Sequence, residues 1–401
     1  MSKQVGWLLG ITLLILNLAA DPYQSGATNI QFLPKITYRF GEYLNISGEI
    51  TPSLPIKEAY LFISSSPTEH VASPLNLDSQ QSFIYQHDFK NHPIQPFAHL
   101  SIWLELSLQD GQTVRSEIFD FRYEDNRFPW KTREQSPFSL HWREGDLEFA
   151  QSALDVAFEA KDKILSQFPL RTPEQIEIYI YGTPGDLREA LQLSHASWVG
   201  AHADPRLNVV LLSIRTGPDQ RLQMESQIPH ELMHIFLYNS LPDHYDRLPY
   251  WLTEGLATNA ELYPNPDYFI LLQNASEDDS FIPLSTLCTS FPQDASQAFL
   301  AYAQSSSIVQ FLIENFGTSK LVDLLNIYQQ DMNCDAGLQA VYGLTQDELQ
   351  RQWRSEKFGA APINRALTNF LPWAIILILA LGVPILISIR SLFTHRIAEV
   401  K

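Results

Sequence analysis

Two histidines and a glutamate stand within five consecutive residues, His-Glu-Leu-Met-His at 230–234. Residues i and i+4 share one face of an α-helix, so His230 and His234 can direct two ring nitrogens at one Zn²⁺ ion. Glu231 stands next to the first histidine, where a carboxylate can take a proton from water activated by the metal. The motif therefore predicts a zinc site on a helix, with Glu231 as general base.

A zinc ion that does catalysis takes three protein ligands and keeps one position open. Further along, the chain reads Trp-Leu-Thr-Glu-Gly-Leu-Ala at 251–257, which places Glu254 twenty residues after His234. The polar stretch 239–249 between the two motifs has the composition of a loop between helices. We expect Glu254 on the second helix to be the third ligand. The two cysteines lie far from both motifs in the sequence, which disfavours a closed structural zinc site.

The two motifs, HELMH and WLTEGLA, together resemble those of the gluzincin metallopeptidases, the superfamily of thermolysin and the zinc aminopeptidases. The resemblance implies that His230, His234 and Glu254 bind zinc and that Glu231 is the general base. A looser likeness, to bacterial membrane-anchored peptidase-MA-like proteins, runs from about residue 125 to residue 353. It implies a zinc-dependent hydrolase that acts on a peptide or protein substrate.

The chain departs from this family pattern at two places. The Gly-Ala-Met-Glu-Asn type of motif that holds a substrate's free amine in aminopeptidases is not found, so endo- and exopeptidase activity both stay open. Thr258 stands one turn after the third ligand, where thermolysin has an aspartate, so the hydrogen-bond partners of the zinc ligands are unassigned.

A tyrosine from the C-terminal helices often donates a hydrogen bond to the oxyanion in gluzincins, and Tyr302 is the candidate here. The alternative is a tyrosine packed in the core. His202, in a Gly-Ala-His-Ala turn, is either an additional ligand or an ordinary polar loop residue. A competing function for the whole chain is a surface binding protein whose gluzincin-like domain has lost catalysis.

The acidic composition excludes one class of partner. The formal net charge is −18, from 45 acidic and 27 basic side chains. Nucleic-acid binding needs basic patches, so we expect no nucleic-acid partner. A hydrophobic content of 45% over 401 residues is enough for two or three domains with cores of their own.

Both ends of the chain carry apolar segments. Residues 1–20 predict a secretory signal peptide, with a retained anchor as the alternative. Residues 370–389 form an uncharged run of a length that can cross a bilayer, followed by basic residues that mark the cytoplasmic side. The prediction is a single-pass protein of the cell membrane with an extracytoplasmic catalytic domain. Outside the cytoplasm Cys288 and Cys334 can form a disulfide, and two unpaired thiols are the alternative.

Before the catalytic motifs the composition changes. Seven short runs rich in β-branched and aromatic residues precede residue 125 and predict an all-β, immunoglobulin-like sandwich. The predicted strands are 30–32, 36–40, 43–50, 59–64, 82–88, 99–108 and 113–123. The chain that follows predicts an α+β gluzincin domain with a helical C-terminal part. In it, 208–214 is either the edge strand that pairs with substrate or a central strand, and Pro229 either starts the zinc helix or kinks an earlier one. The predicted order is a signal peptide at 1–20, a β-sandwich domain at 21–125, a linker at 126–137, a gluzincin-like metallopeptidase domain at 138–359, a linker at 360–369, a transmembrane helix at 370–389 and a cytoplasmic tail at 390–401.

Overall fold

The structure is a computed structural model that describes residues 30–51, 55–65, 70–191, 200–330, 332–359, 371–378 and 380. The chain divides into two compact units, Met1–Glu124 and Asp125–Lys401. The predicted signal peptide at 1–20, the linker at 360–369 and the tail at 390–401 lie outside the described residues.

The first unit contains two antiparallel sheets. One has the strand order β1-β2-β5, and the other has the order β4-β3-β6-β7 with β8 also paired to β6. The side chains of Tyr38 and Phe121, one from each sheet, meet edge to face with their ring centroids 5.2 Å apart. The strands are β1 (Lys35–Arg39), β2 (Tyr43–Glu49), β3 (Ile56–Ser64), β4 (His70–Pro74), β5 (Ser82–Gln86), β6 (His99–Leu108), β7 (Thr113–Arg115) and β8 (Phe119–Arg122).

The strand pattern of the first unit follows from alternation of apolar side chains. In β6 every second residue from Leu100 to Leu108 is buried, the period of two that a strand with one core-facing side requires. The single strand predicted at 113–123 is two strands, β7 and β8. The strand predicted at 30–32 contributes only an isolated bridge between Gln31 and Thr51.

The second unit begins with a five-stranded sheet of order β12-β13-β11-β10-β9. The three central strands are parallel, and the two outer strands pair antiparallel to them. Every residue of β11 and β13 is buried, as expected for parallel strands covered on both faces. The strands are β9 (Lys131–Gln135), β10 (Phe138–Trp142), β11 (Ile176–Tyr181), β12 (Ala201–Asp204) and β13 (Val209–Ser213).

The two outer strands differ from the sequence expectations. Residues 126–137, predicted as a linker, include β9, whose polar side chains are mostly exposed as on many edge strands. The strand candidate 208–214 corresponds to β13, which lies between β12 and β11. It is therefore one of the three central strands, and β12, which carries His202, is the edge.

Helices make up most of the rest of the second unit. Asp146 caps the first of them by accepting hydrogen bonds from the backbone N–H groups of Glu148 and Phe149. The helices are α1 (Leu147–Gln167), α2 (Pro184–Leu191), α3 (Gln220–Ser240), α4 (Tyr250–Ala260), α5 (Asp267–Glu277), α6 (Leu284–Thr289), α7 (Ala295–Phe316), α8 (Thr318–Tyr328), α9 (Cys334–Tyr342) and α10 (Gln346–Phe358), with a 3-10 helix at Tyr245–Arg247 between α3 and α4.

The predicted transmembrane helix is wrong. Across the described parts of the chain, no helix combines the length and the apolar character needed to cross a membrane. Within 370–389 the structure describes helix at 371–378 and at 380. The finding overturns the transmembrane part of the predicted fold class and the predicted single-pass cell-membrane localisation.

The predicted disulfide is confirmed. Cys288, in α6, is bonded to Cys334, the first residue of α9, across 46 positions of sequence. No free cysteine remains. The bond ties two helices of the second unit together, and by restricting the unfolded chain it stabilises that unit by a few kcal/mol, on the order of 2–4.

Candidate metal centre

The helix that carries the HELMH motif is one continuous helix, α3, with Pro229 inside it. Proline has no N–H, so the carbonyl of Glu225, four residues earlier, loses its usual helical partner. That carbonyl instead accepts a hydrogen bond from the backbone N–H of Leu262 at 2.8 Å. The freed carbonyl therefore holds the residues that directly follow α4 against α3, close to His230.

The two motifs meet across the contact between α3 and α4. His230, His234 and Glu254 each offer one ligand atom, and these three atoms lie within 4.8 Å of one another. Glu254 Oε2 is 3.4 Å from His230 Nε2 and 3.6 Å from His234 Nε2. The structure thus brings together the three residues predicted as ligands.

These distances fit a tetrahedral metal ion. Ligand atoms about 2.1 Å from a tetrahedral centre stand about 3.4 Å from each other, close to the two separations that involve Glu254. Two imidazoles and a carboxylate are also a ligand set that catalytic zinc takes. The residues present therefore suit zinc, with one position left for water or substrate.

The electrostatics of the centre favour a cation. Burial raises the pKa of Glu254, but the charge of His234 and hydrogen bonds from both histidines outweigh it and hold the pKa well below its usual range. Burial lowers the pKa of His230, but hydrogen bonds to Glu254 and Glu261 and the nearby charge of Glu231 raise it well above its ordinary value. Three carboxylates thus surround two imidazoles, an arrangement that a positive ion would stabilise.

Each histidine has a partner on its second ring nitrogen. For His230 the partner is Glu261, whose Oε1 lies 3.2 Å from Nδ1. Ser226 donates to the other carboxylate oxygen of Glu261 at 3.1 Å, and the ammonium of Lys163 donates to its backbone carbonyl at 2.8 Å. Such partners fix the ring orientation of metal-binding histidines and strengthen the ligand.

Glu261 is absent from the sequence predictions, although its spacing from Glu254 indicates it. The residue one turn after Glu254 is Thr258, whose hydroxyl is buried and has no hydrogen-bond partner among the described residues. Glu261 directly follows the last residue of α4 and is seven residues after Glu254, a spacing that puts two residues on one face of a helix. An acidic residue at that spacing was the available signal.

The partner of His234 is Tyr245, which no motif pointed to. Its hydroxyl lies 3.0 Å from Nδ1 of His234. Burial and then the charge of Glu254 raise the pKa of Tyr245 far above its usual value, so the phenol stays protonated. The tyrosine belongs to the 3-10 helix in the connection that the sequence predicted as a plain loop.

Close packing of α4 on α7 brings Tyr302 to the centre. A Cβ added to Gly255 would lie 2.6 Å from the backbone oxygen of Ser305, so only glycine allows this approach. The ring of Tyr302, on α7, has its centroid 5.8 Å from that of His230. Burial and the charges of Glu254 and Glu231 raise the pKa of Tyr302, which keeps it a hydrogen-bond donor.

A cavity of about 380 Å³ opens beside the three predicted ligands. His202 on the edge strand β12 lines it, together with Glu231 and Tyr302. His202 is not part of the group whose ligand atoms converge. The structure therefore places the predicted general base and the predicted oxyanion donor at one cavity, next to the edge of the sheet.

Comparisons with known proteins agree with this geometry at the level of family. The family model of the Peptidase MA superfamily matches residues 156–358, half of the chain. A search of curated proteins finds no match.

Three solved structures are similar to parts of the chain. An aminopeptidase N family protein from Idiomarina loihiensis has 10% identity and a TM-score of 0.35, covering 84% of this chain and 75% of that one. A polysaccharide deacetylase from Bacillus cereus has 12% identity and a TM-score of 0.21, covering 43% of this chain. A purple acid phosphatase from yellow lupin, Lupinus luteus, has 7% identity and a TM-score of 0.19, covering 51% of this chain. The chain spans 58% of the length of the deacetylase and 40% of that of the phosphatase.

The family match covers both motifs and the helices that carry them. The chain belongs to the Peptidase MA superfamily, and its residues His230, His234 and Glu254 lie where they could hold a metal ion.

Proposed function

We propose that this chain is a zinc-dependent peptidase that hydrolyses peptide bonds at the cavity beside α3 and α4. The observation that carries the proposal is the convergence of His230, His234 and Glu254 on one point. The cavity beside that point is bordered by a buried carboxylate, Glu231, that takes no part in the ligand set.

Zinc, when bound, polarises the substrate carbonyl and makes a nearby water more acidic. Glu231 takes the proton of the attacking water and passes it to the leaving amine. The phenol of Tyr302 donates a hydrogen bond to the oxygen that becomes negative in the transition state. Glu261 and Tyr245 hold the two histidines in orientation.

We further propose that an extended substrate lies along β12. Ser213 donates its backbone N–H to the carbonyl of Gly200 at 2.7 Å, and hydrogen-bonded pairs alternate along an antiparallel ladder. The backbone groups of Ala201 and Ala203 therefore point away from β13, toward the side of β12 on which no other described strand pairs. Pairing with such an edge is a general mode of peptide recognition.

Two variants measured in parallel test the proposal. Glu231→Gln keeps shape and hydrogen bonding but removes the base, so it should retain zinc while its peptidase rate falls by a factor of at least about 10²–10⁴. Glu254→Gln should weaken zinc binding itself, because a neutral amide oxygen replaces an anionic ligand. Zinc content and turnover of a mixed peptide library are the measurements.

Two outcomes would overturn parts of this proposal. If Glu231→Gln cleaves peptides at the parent rate, Glu231 is not the base. If the parent protein holds zinc but cleaves no peptide in the library, the chain is a binding protein with a gluzincin-like domain.

A further inference from the structure

Gln227 has a feature that the proposed reaction does not use. It lies on α3, three residues before His230 and four before Glu231, and so shares their face of the helix. Its side-chain oxygen Oε1 is buried and has no hydrogen-bond partner among the described residues. An acceptor in that state has lost its bonds to water and gained none from the described residues, which is unfavourable for folding.

The position of Gln227 indicates where its missing partner comes from. It lines the cavity beside the metal centre, between the edge strand and the predicted general base. Its amide group also lies against the start of β12, since a Cβ added to Gly200 would be 3.7 Å from Gln227 Nε2. The unused acceptor thus stands where a chain running along β12 would approach Glu231.

A ligand in the cavity can satisfy this acceptor with an N–H or O–H group. The lining includes the carboxylates of Glu231 and Glu261, and no lysine or arginine is among its described residues. Both oxygens of Glu261 already have partners in His230 and Ser226. A main-chain N–H is the donor that every peptide presents, whatever its side chains.

We propose that Gln227 is a substrate-binding residue that accepts a hydrogen bond from one main-chain N–H of the peptide close to the scissile bond. The proposal rests on the peptidase function proposed above. It makes recognition at this point independent of the substrate's side chains, because the donor belongs to the backbone. It also explains why a polar side chain is kept where an apolar one would fold without cost.

The experiment combines a protein change with a backbone change in the substrate. Gln227→Met keeps the length of the side chain and removes the amide, and Gln223→Met, one turn earlier and outside the cavity lining, is the matched control. The substrate is a peptide that the zinc-loaded parent cleaves. In a second set of peptides, the N–H groups near the scissile bond are replaced one at a time by an ester oxygen. The N–H of the scissile bond itself is left unchanged.

One hydrogen bond corresponds to about a 2- to 10-fold change in kcat/KM. We expect Gln227→Met to lower kcat/KM by that factor, mainly through KM, and Gln223→Met to leave it unchanged. One ester position should cost the parent the same factor and cost Gln227→Met nothing further. The melting temperature of Gln227→Met should be equal to or above that of the parent, because a buried unpartnered acceptor is removed.

Several outcomes would overturn the inference. If the Gln227→Met and ester effects multiply at every position, or if kcat/KM is unchanged, Gln227 binds no backbone N–H. If Gln227→Met does not fold, Gln227→Leu takes its place, and failure of both to fold shows that the amide serves the structure. A parent protein that binds zinc but cleaves no peptide instead refutes the proposed function, a result visible in the same assay before any variant is compared.

Discussion

The two units of the molecule bury polar side chains for different purposes. In the first unit the buried ones among the described residues are His87 and Ser116, and each is satisfied locally. His87 Nε2 lies 2.7 Å from the carbonyl oxygen of His92, and Ser116 Oγ donates to the carbonyl of Glu117. These groups complete the hydrogen bonding of the sheets.

The second unit buries Asp125 and Glu177 with partners of their own, Arg127 and His141, and it gathers three further buried ionisable groups at one place. Glu231, His234 and Glu261 are 7%, 8% and 5% exposed and lie on α3 or at the end of α4. Burying several charges together is costly unless they are paired or balanced by an ion. The difference teaches that the candidate site lies where buried ionisable groups converge, and not where single buried polar groups are paired locally.

The largest expected effect, on zinc binding, comes from a pair of substitutions that each remove one buried histidine, one in each unit. His234→Ala should lose zinc affinity by more than about 100-fold, because even a partner of a ligand contributes about 10- to 100-fold. His87→Ala should lower the melting temperature and leave zinc content unchanged. Metal analysis after dialysis and thermal melts of both variants are the measurements. Full zinc retention by His234→Ala would move the metal site elsewhere.

A smaller effect is expected at the two residues that orient the histidines. Glu261→Gln removes a charge next to His230 and should weaken zinc binding by close to 100-fold, whereas Tyr245→Phe removes a neutral hydroxyl and should cost about 10-fold. Competition with a chelator gives both affinities. Equal losses in the two variants would contradict the view that the charge of Glu261 matters beyond its hydrogen bond.

The smallest expected effect, on the free energy of unfolding, comes from replacing one glycine in each unit by alanine. Gly255→Ala forces a methyl group against the backbone of α7 and should destabilise the protein by about 2 kcal/mol, as overpacking does. Gly111→Ala, in a turn at φ 88° with no atom near its added Cβ, should cost about 1 kcal/mol through backbone strain alone. Only Gly255→Ala should also lower peptidase turnover, by displacing Tyr302. Equal peptidase turnover in the two variants would show that the position of α7, and of Tyr302 on it, does not affect the reaction.

Parts of the fold were predictable because they depend on local patterns. The alternation in β6 predicts its strand from His99 to Leu108 with the bounds that the structure has. β9 could not be found in this way, because an edge strand with polar side chains on both faces shows no alternation. The apolar run at 370–389 has the composition of a membrane helix, but the prediction of such a helix is contradicted by the helix lengths of the described chain.

The sequence by itself determined the chemistry: which residue types are present, and that His230 and His234 share a helix face four residues apart. It also placed Glu254 on a second helix. Only the tertiary structure decided that these helices cross so that three ligand atoms lie within 4.8 Å. The choice of Glu261 and Tyr245 as partners, and of β12 as the edge strand, likewise depends on packing between segments distant in sequence. The physical reason is that helical and strand periodicity reports only neighbours along one element, whereas contacts between elements are set by how the whole core packs.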